Sequence, residues 1–189
     1  MEQLLRLHQF TTEEINDFIS NGQLIKCPKK TVLLQEGEVV RYVYWATKGI
    51  FRAGFTDKKG TEDTRTFFSP ETTPYVTSFG SYAKQTPSLS FIDCIEAGEL
   101  YSWHVDYVKN LEETDFKWHK FFRSQLDAVF ILAQIKEWQF YTLPPEERYL
   151  AFLETASSIA FRVPQHYIAS YIGVTPEAMS RIRKRIQDR

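Results

Sequence analysis

Between Tyr107 and Tyr141 the chain contains neither proline nor glycine, and a run of this length has few ways to fold. Its apolar side chains, Trp118, Phe122, Leu126, Val129, Phe130, Ala133 and Trp138, recur mostly at spacings of three and four. That repeat lines one face of a helix. A continuous helix of about 34 residues would reach roughly 50 Å at 1.5 Å per residue, more than a small domain is wide. Part of its apolar face therefore needs a further surface. A second copy of the same helix is the simplest one, because symmetric dimers are the commonest soluble assemblies. The alternative is a helix folded back over the rest of the chain and core throughout.

The segments on either side differ in kind. Over residues 1–20, Leu4, Leu5, Leu7, Phe10, Ile15 and Phe18 form a loose apolar stripe that predicts one or two short helices, with Thr12 as a candidate cap. From Gly22 to about Val105 the pattern changes to short β-branched and aromatic runs: TVLLQEG, YVYWATKG, IFRAGFTDKKG, TRTFF, SFIDCIEAG and ELYSWHV. Gly-containing or charged turns such as DKKG and EAGE separate them, which predicts a barrel or a two-sheet roll. After the long helix, Pro144 and Pro145 cannot continue a helix but can open the next, expected from about Pro145 to Ser157. The chain is read as α+β, with residues 1–141 holding the roll and the long helix (about 107–141), and residues 142–189 forming a second, helical domain.

Composition bounds the function. The longest apolar runs are too short to cross a bilayer, and the N-terminus lacks a secretory pattern. Two cysteines, Cys27 and Cys94, make neither a disulfide framework nor a metal cluster. The expectation is a cytoplasmic protein with no membrane partner. The formal net charge is −1, yet the last fifteen residues carry Arg181, Arg183, Lys184, Arg185 and Arg189 against Glu177 and Asp188. A short basic helix on a slightly acidic body is the charge layout of a small nucleic-acid footprint.

That basic excess falls on the most specific motif, PQHYIASYIGVTPEAMSRIRKRI. Ile168, Ile172, Val174, Met179 and Ile182 occupy the positions a helix-turn-helix buries. Ala169 stands where the two helices cross, and Gly173 where the turn wants positive φ. Thr175 offers an N-cap and Pro176 suits the first helical position. Glu177, Arg181 and Lys184 are spaced i, i+4, i+7 and share an outward face. In a helix-turn-helix the N-terminal part of the second helix meets base edges in the major groove of duplex DNA. Arg181 can pair with guanine and Glu177 can accept from cytosine. Gln165, His166, Thr175, Ser180, Arg183, Lys184 and Arg185 are placed for the phosphate backbone. The competing reading is a plain helical hairpin in which Glu177 and Arg181 are only a surface ion pair.

Taken together, LLQEGEVVRYVYWATKGIFRAGF, FFSPETTPYVTSFGSYAKQTPSLSFIDCIEAGEL and VPQHYIASYIGVTPEAMSRIRKRI resemble the Crp/Fnr family of bacterial transcription regulators, in a Bacteroidetes-type subgroup without an assigned effector. The resemblance covers nearly the whole chain. It implies a cyclic-nucleotide-binding-like β-roll, a long dimerisation helix and a C-terminal helix-turn-helix that reads bases through Pro176, Glu177 and Arg181. It also implies a homodimer on double-stranded DNA, with RNA polymerase as a candidate partner. The effector pocket would fall on Phe79, Gly80, Ser81, Tyr82, Ser88, Leu89 and Ser90. The family's nucleotide-binding members place a Gly-Glu-Leu and an Arg-Ser-Ala sequence there. This chain has neither the carboxylate nor the guanidinium at those positions, which speaks against cAMP held in the usual way, and no cofactor is implied. A Gly-Glu-Leu at residues 98–100 falls in a later strand turn. Any effector would act through the hinge at Thr142–Pro145.

Two other classes compete. A metal-dependent enzyme on a β-roll needs clustered histidines, and His8, His104, His119 and His166 are isolated. No catalytic residue or metal ligand is therefore expected. A ligand-binding or protein-interaction module carrying a vestigial DNA-binding domain is the second alternative.

Overall fold

The computed structural model of the chain describes residues 1–188; Arg189, counted above among the basic side chains, lies outside them. Two short helices, α1 (Glu2–Leu7) and α2 (Thr12–Ser20), open the chain. The cap of α2 is Thr11, one residue before the expected Thr12. Its side chain accepts from the Glu14 amide while the Glu14 carboxylate accepts from the Thr11 amide, a reciprocal capping box.

Among the described residues the roll has six strands, as many as the sequence has runs, but they are divided differently. It comprises β1 (Gln23–Cys27), β2 (Val32–Leu34), β3 (Tyr42–Thr56), β4 (Glu62–Phe68), β5 (Tyr75–Val76) and β6 (Phe91–His104). YVYWATKG and IFRAGFT are one strand, β3, and the segments either side of EAGE are another, β6. These two pair antiparallel along most of their length. The glycines taken as turns are bulges where the paired ribbon bends. Gly49 has φ +87°, in the left-handed region that favours glycine, and a Cβ on Gly98 would lie 2.0 Å from the Lys48 carbonyl oxygen. The two backbones therefore cross with no room for a side chain. Beyond the bend the ribbon changes partners. One half pairs with β1 and β5, the other with β2 and β4. The DKKG turn is real, closed by Gly60 N–H to the Asp57 carbonyl at 3.0 Å.

After α3 (Phe79–Lys84) and β6, the run expected to be one helix is two: α4 (Val105–Thr114) and α5 (Phe116–Thr142). The break is at Asp115, whose extended backbone lets its carboxylate accept the Lys117 amide at 2.7 Å. An aspartate competes locally with the helix for backbone donors and caps better than it propagates. The first turns of α5 enter the core. Trp118, Phe121 and Phe122 are buried with Phe10, Phe18 and Trp103. Phe18 stacks on Trp103 at 4.4 Å between centroids, and the Trp103 indole donates to the Phe18 carbonyl. Beyond Phe122 the same helix leaves its apolar side chains in the open, with Phe130 60% and Trp138 57% exposed. A buried and an exposed apolar stretch thus follow one another along the helix.

Four further helices follow among the described residues: α6 (Pro145–Thr155), α7 (Ser157–Ala160), α8 (Gln165–Ile172) and α9 (Pro176–Gln187). Helix α6 stops two residues short of the expected Ser157. Their core contains Phe152, Ile159, Ile168, Ala169, Ile172, Met179 and Ile182, and Ile50, Phe67 and Ile95 of the roll belong to the same cluster. Among the described residues no helix is long and apolar enough to cross a membrane.

Candidate nucleic-acid interface

Helices α8 and α9 are joined by a three-residue turn whose geometry follows from its sequence. Gly173 is left-handed, φ +74°, and the Val174 amide returns to the Ala169 carbonyl at 2.9 Å, closing the helix end. A side chain at 173 would also meet the Phe140 ring at the end of α5, 2.4 Å away. Thr175 caps α9 by accepting the Ala178 amide at 3.2 Å, with Pro176 in the first turn. Ala169 is fully buried, as its place at the crossing requires.

On α9, Met179 and Ile182 are buried. At 100° per residue, Glu177, Arg181 and Lys184 lie on the opposite side of the helix, with Ser180 beside them and Arg183 and Arg185 on the two flanks. Pro176, Glu177, Ser180, Arg181, Lys184 and Arg185 are exposed and Arg183 is half-buried. The Glu177 carboxyl is held below its ordinary range, first by its own backbone amide, then by the Thr175 hydroxyl and the Arg181 charge. It is therefore an ionised acceptor beside a cation. Arg185 leans 3.8 Å from Glu146 of α6. Gln165 and His166 are exposed at the start of α8, where free helical amides add to their donors.

The predicted effector segment is brought together around α3, with its buried hydroxyls turned inward. Ser81 Oγ accepts the Val40 amide at 3.0 Å and donates to the Thr86 carbonyl at 2.7 Å. Ser88 Oγ donates to the Ser90 carbonyl at 2.7 Å and lies 2.8 Å from Ser78 Oγ. Phe79 packs on the core beside Tyr75. The Tyr82 hydroxyl bonds the Glu112 carboxylate of α4, and burial raises its pKa well above the ordinary value. Leu89 is exposed, and Gly80 faces open space. The Gly98-Glu99-Leu100 triplet lies inside β6, at the ribbon's bend, and not in a turn between strands.

Residues with no motif to announce them join the two halves of the chain. Arg148 donates to the carbonyls of Phe140, Leu143 and Ile172, fixing the end of α5, the Pro144 break and the end of α8 to one side chain. Arg162 pairs with Glu96 and Glu71. Lys136 of α5 donates to the Arg65 carbonyl and lies 3.6 Å over the Tyr171 ring. Arg52, in mid-strand, is 1% exposed. An arginine in an apolar strand was the only sequence signal for the last of these.

No protein-family model matches the chain, and no curated protein matches it in sequence. Solved structures do match its fold. FixK2 from Bradyrhizobium japonicum superposes with a TM-score of 0.75 at 15% identity, covering 88% of this chain and 85% of that one. The fold is that of the Crp/Fnr regulators. A crp/fnr family protein from Eubacterium rectale gives the same TM-score at 14% identity, over 96% of this chain and 85% of that one. CLP from Xanthomonas campestris, a c-di-GMP-responsive global regulator, gives 0.70 at 15% identity over 94% and 92%. The Crp/Fnr fold accounts for the order of roll, long helix and C-terminal helices seen here.

Proposed function

We propose that the chain is a sequence-specific, DNA-binding regulator of transcription that works in the cytoplasm as a homodimer. The observation that carries this reading is the face of α9. Glu177, Arg181 and Lys184 point away from the buried Met179 and Ile182, on a helix whose start is fixed by the Gly173 turn and the Thr175 cap. Pro176, Glu177 and Arg181 are assigned to base edges. Gln165, His166, Ser180, Arg183, Lys184 and Arg185 are assigned to phosphates. Thr175 contributes chiefly as the cap.

The exposed second half of α5 supports the dimer. Leu126, Phe130, Ile131, Ile135 and Trp138 are all more than 40% exposed, and an apolar stripe of this extent is covered in a stable soluble protein. A copy of the same helix covers it with matching periodicity. Each recognition helix then enters successive major grooves about 34 Å apart. An effector in the Crp/Fnr manner would enter beside α3, and would have to compete with the bonds that Ser81 and Ser88 already make.

The test is a duplex selected from a random pool by the protein, followed by affinity against salt. Log affinity falls steeply with log salt for a phosphate-neutralising binder. A flat dependence, or no binding at low salt, favours the interaction-module reading. Arg181→Ala should relax preference at one base pair; an equal loss on every sequence reassigns Arg181 to a phosphate.

A further inference from the structure

The feature that the DNA-binding reading does not use is the buried cation in the roll. Arg52 Nε donates to Asp93 Oδ1 at 2.9 Å and its Nη2 to Asp93 Oδ2 at 3.1 Å, a two-pronged pair. Nη2 also meets the Glu62 carboxylate, and Nη1 lies 3.4 Å from the Thr64 hydroxyl. The carboxylates raise the guanidinium pKa against the opposing effect of burial. All of these partners lie on the roll and hold the guanidinium plane in one orientation. Its faces are then used by rings. Phe91 of the roll lies 4.8 Å from the guanidinium carbon, and Tyr167, from α8, lies 4.0 Å from it.

One turn further along α8, Ser170 makes the second polar contact across this junction. The Thr64 amide donates to Ser170 Oγ at 2.7 Å, and Ser170 Oγ donates to the Asp63 carboxylate at 3.2 Å. The Thr64 amide sits in β4, the last strand on its side of the sheet, so Ser170 caps a sheet edge that would otherwise be open. Tyr171 packs on Phe67 at 5.2 Å. The outer face of α8 is thus pinned through Tyr167, Ser170 and Tyr171, while its inner residues Ile168, Ala169 and Ile172 carry α9.

We propose that Arg52 is a positioning residue for DNA recognition: held rigid by Asp93 and Glu62, it fixes α8 against the roll through Tyr167 and so sets the orientation of α9. This rests on the DNA-binding reading above. A planar, immobilised guanidinium suits the task because it stacks on a ring while its edge stays hydrogen-bonded, which a lysine cannot do. Arg52→Met would strand the partly buried Asp93 carboxylate and disrupt the roll itself. The decisive variants are therefore Tyr167→Leu, which cuts the contact from the α8 side, Tyr167→Phe, which keeps the ring, and Arg52→Lys, which keeps the charge and loses the plane.

Two quantities are read on the full-length protein. One is the ratio of affinities for the selected duplex and a scrambled one. The other is hydrogen exchange at the Thr64 amide, whose partner Ser170 is unchanged in all three variants. Tyr167→Leu and Arg52→Lys should lower the affinity ratio about tenfold, the order a desolvated cation–π contact supports, and speed Thr64 exchange by a similar factor. The salt slope on the scrambled duplex should not move, because the phosphate contacts of α9 remain. Tyr167→Phe should behave as the parent. An unchanged affinity ratio in Tyr167→Leu overturns the proposal even where exchange accelerates, since Arg52 would then only stabilise the junction. An equal loss in Tyr167→Phe overturns it too. If the parent chain binds no duplex at low salt, the DNA-binding reading fails by itself, and Thr64 exchange still reports separately whether Arg52 holds α8.

Discussion

Gly173→Ala tests the turn between α8 and α9, where two separable costs meet at one atom. The residue has φ +74°, and a non-glycine residue held in the left-handed region costs about 1–2 kcal/mol. The new methyl would also lie 2.4 and 2.7 Å from two ring carbons of Phe140. Those carbons are the far end of a half-exposed side chain, so the ring can swing aside. In doing so it leaves the Arg148 guanidinium, now 4.8 Å from its centroid, a contact worth about 0.5–1 kcal/mol at an exposed site. The expected cost is therefore about 1.5–3 kcal/mol by those two contributions. Urea denaturation of the parent, Gly173→Ala, Phe140→Ala and the double variant, at one fixed protein concentration, separates them. In the Phe140→Ala background only the backbone cost should persist, leaving a coupling of about 0.5–1 kcal/mol. A cost below about 1 kcal/mol in both backgrounds would refute the claim that the left-handed conformation is what requires glycine here.

The cap of α9 and the half-buried lysine of α5 give two further outcomes. Thr175→Ala removes the acceptor for the Ala178 amide and should cost about 1 kcal/mol in urea denaturation, with amide exchange accelerating over the first turn of α9. Lys136 is pushed down to about 7, first by burial and then by the Arg65 charge. Between pH 7 and the ordinary lysine range the unfolded chain therefore binds the extra proton, and stability conferred by this group rises with pH. The melting temperature of Lys136→Met minus that of the parent should accordingly shrink as pH is raised from 7 to 10. A difference independent of pH would show that Lys136 titrates normally.

How far the sequence reaches can be judged residue by residue. The C-terminal motif was legible because each of its requirements is local. Gly173, Thr175 and Pro176 act on their own backbone or three residues on, and the buried and exposed sides of α9 follow from helical periodicity. The roll was legible in kind, but its strands were cut too short, because Gly49 and Gly98 read as turns when scanned singly. They are bulges only because β3 and β6 lie against each other with these two glycines at the crossing. The long proline-free run reads as continuous. Asp115 interrupts it through a cap that a periodicity count cannot weigh. Along α5, Phe122 and Phe130 looked alike in the pattern, yet one is core and the other bare, since the roll ends between them.

The sequence alone determined the order of roll, long helix and C-terminal helices and the face α9 presents, because local backbone preference and helical repeat settle both. Tertiary structure alone decided where the C-terminal helices rest. Thr64 and Ser170 meet across 106 positions of sequence. No spacing rule links residues so far apart; only the packing of α8 against the β3–β4 edge brings them within hydrogen-bonding distance.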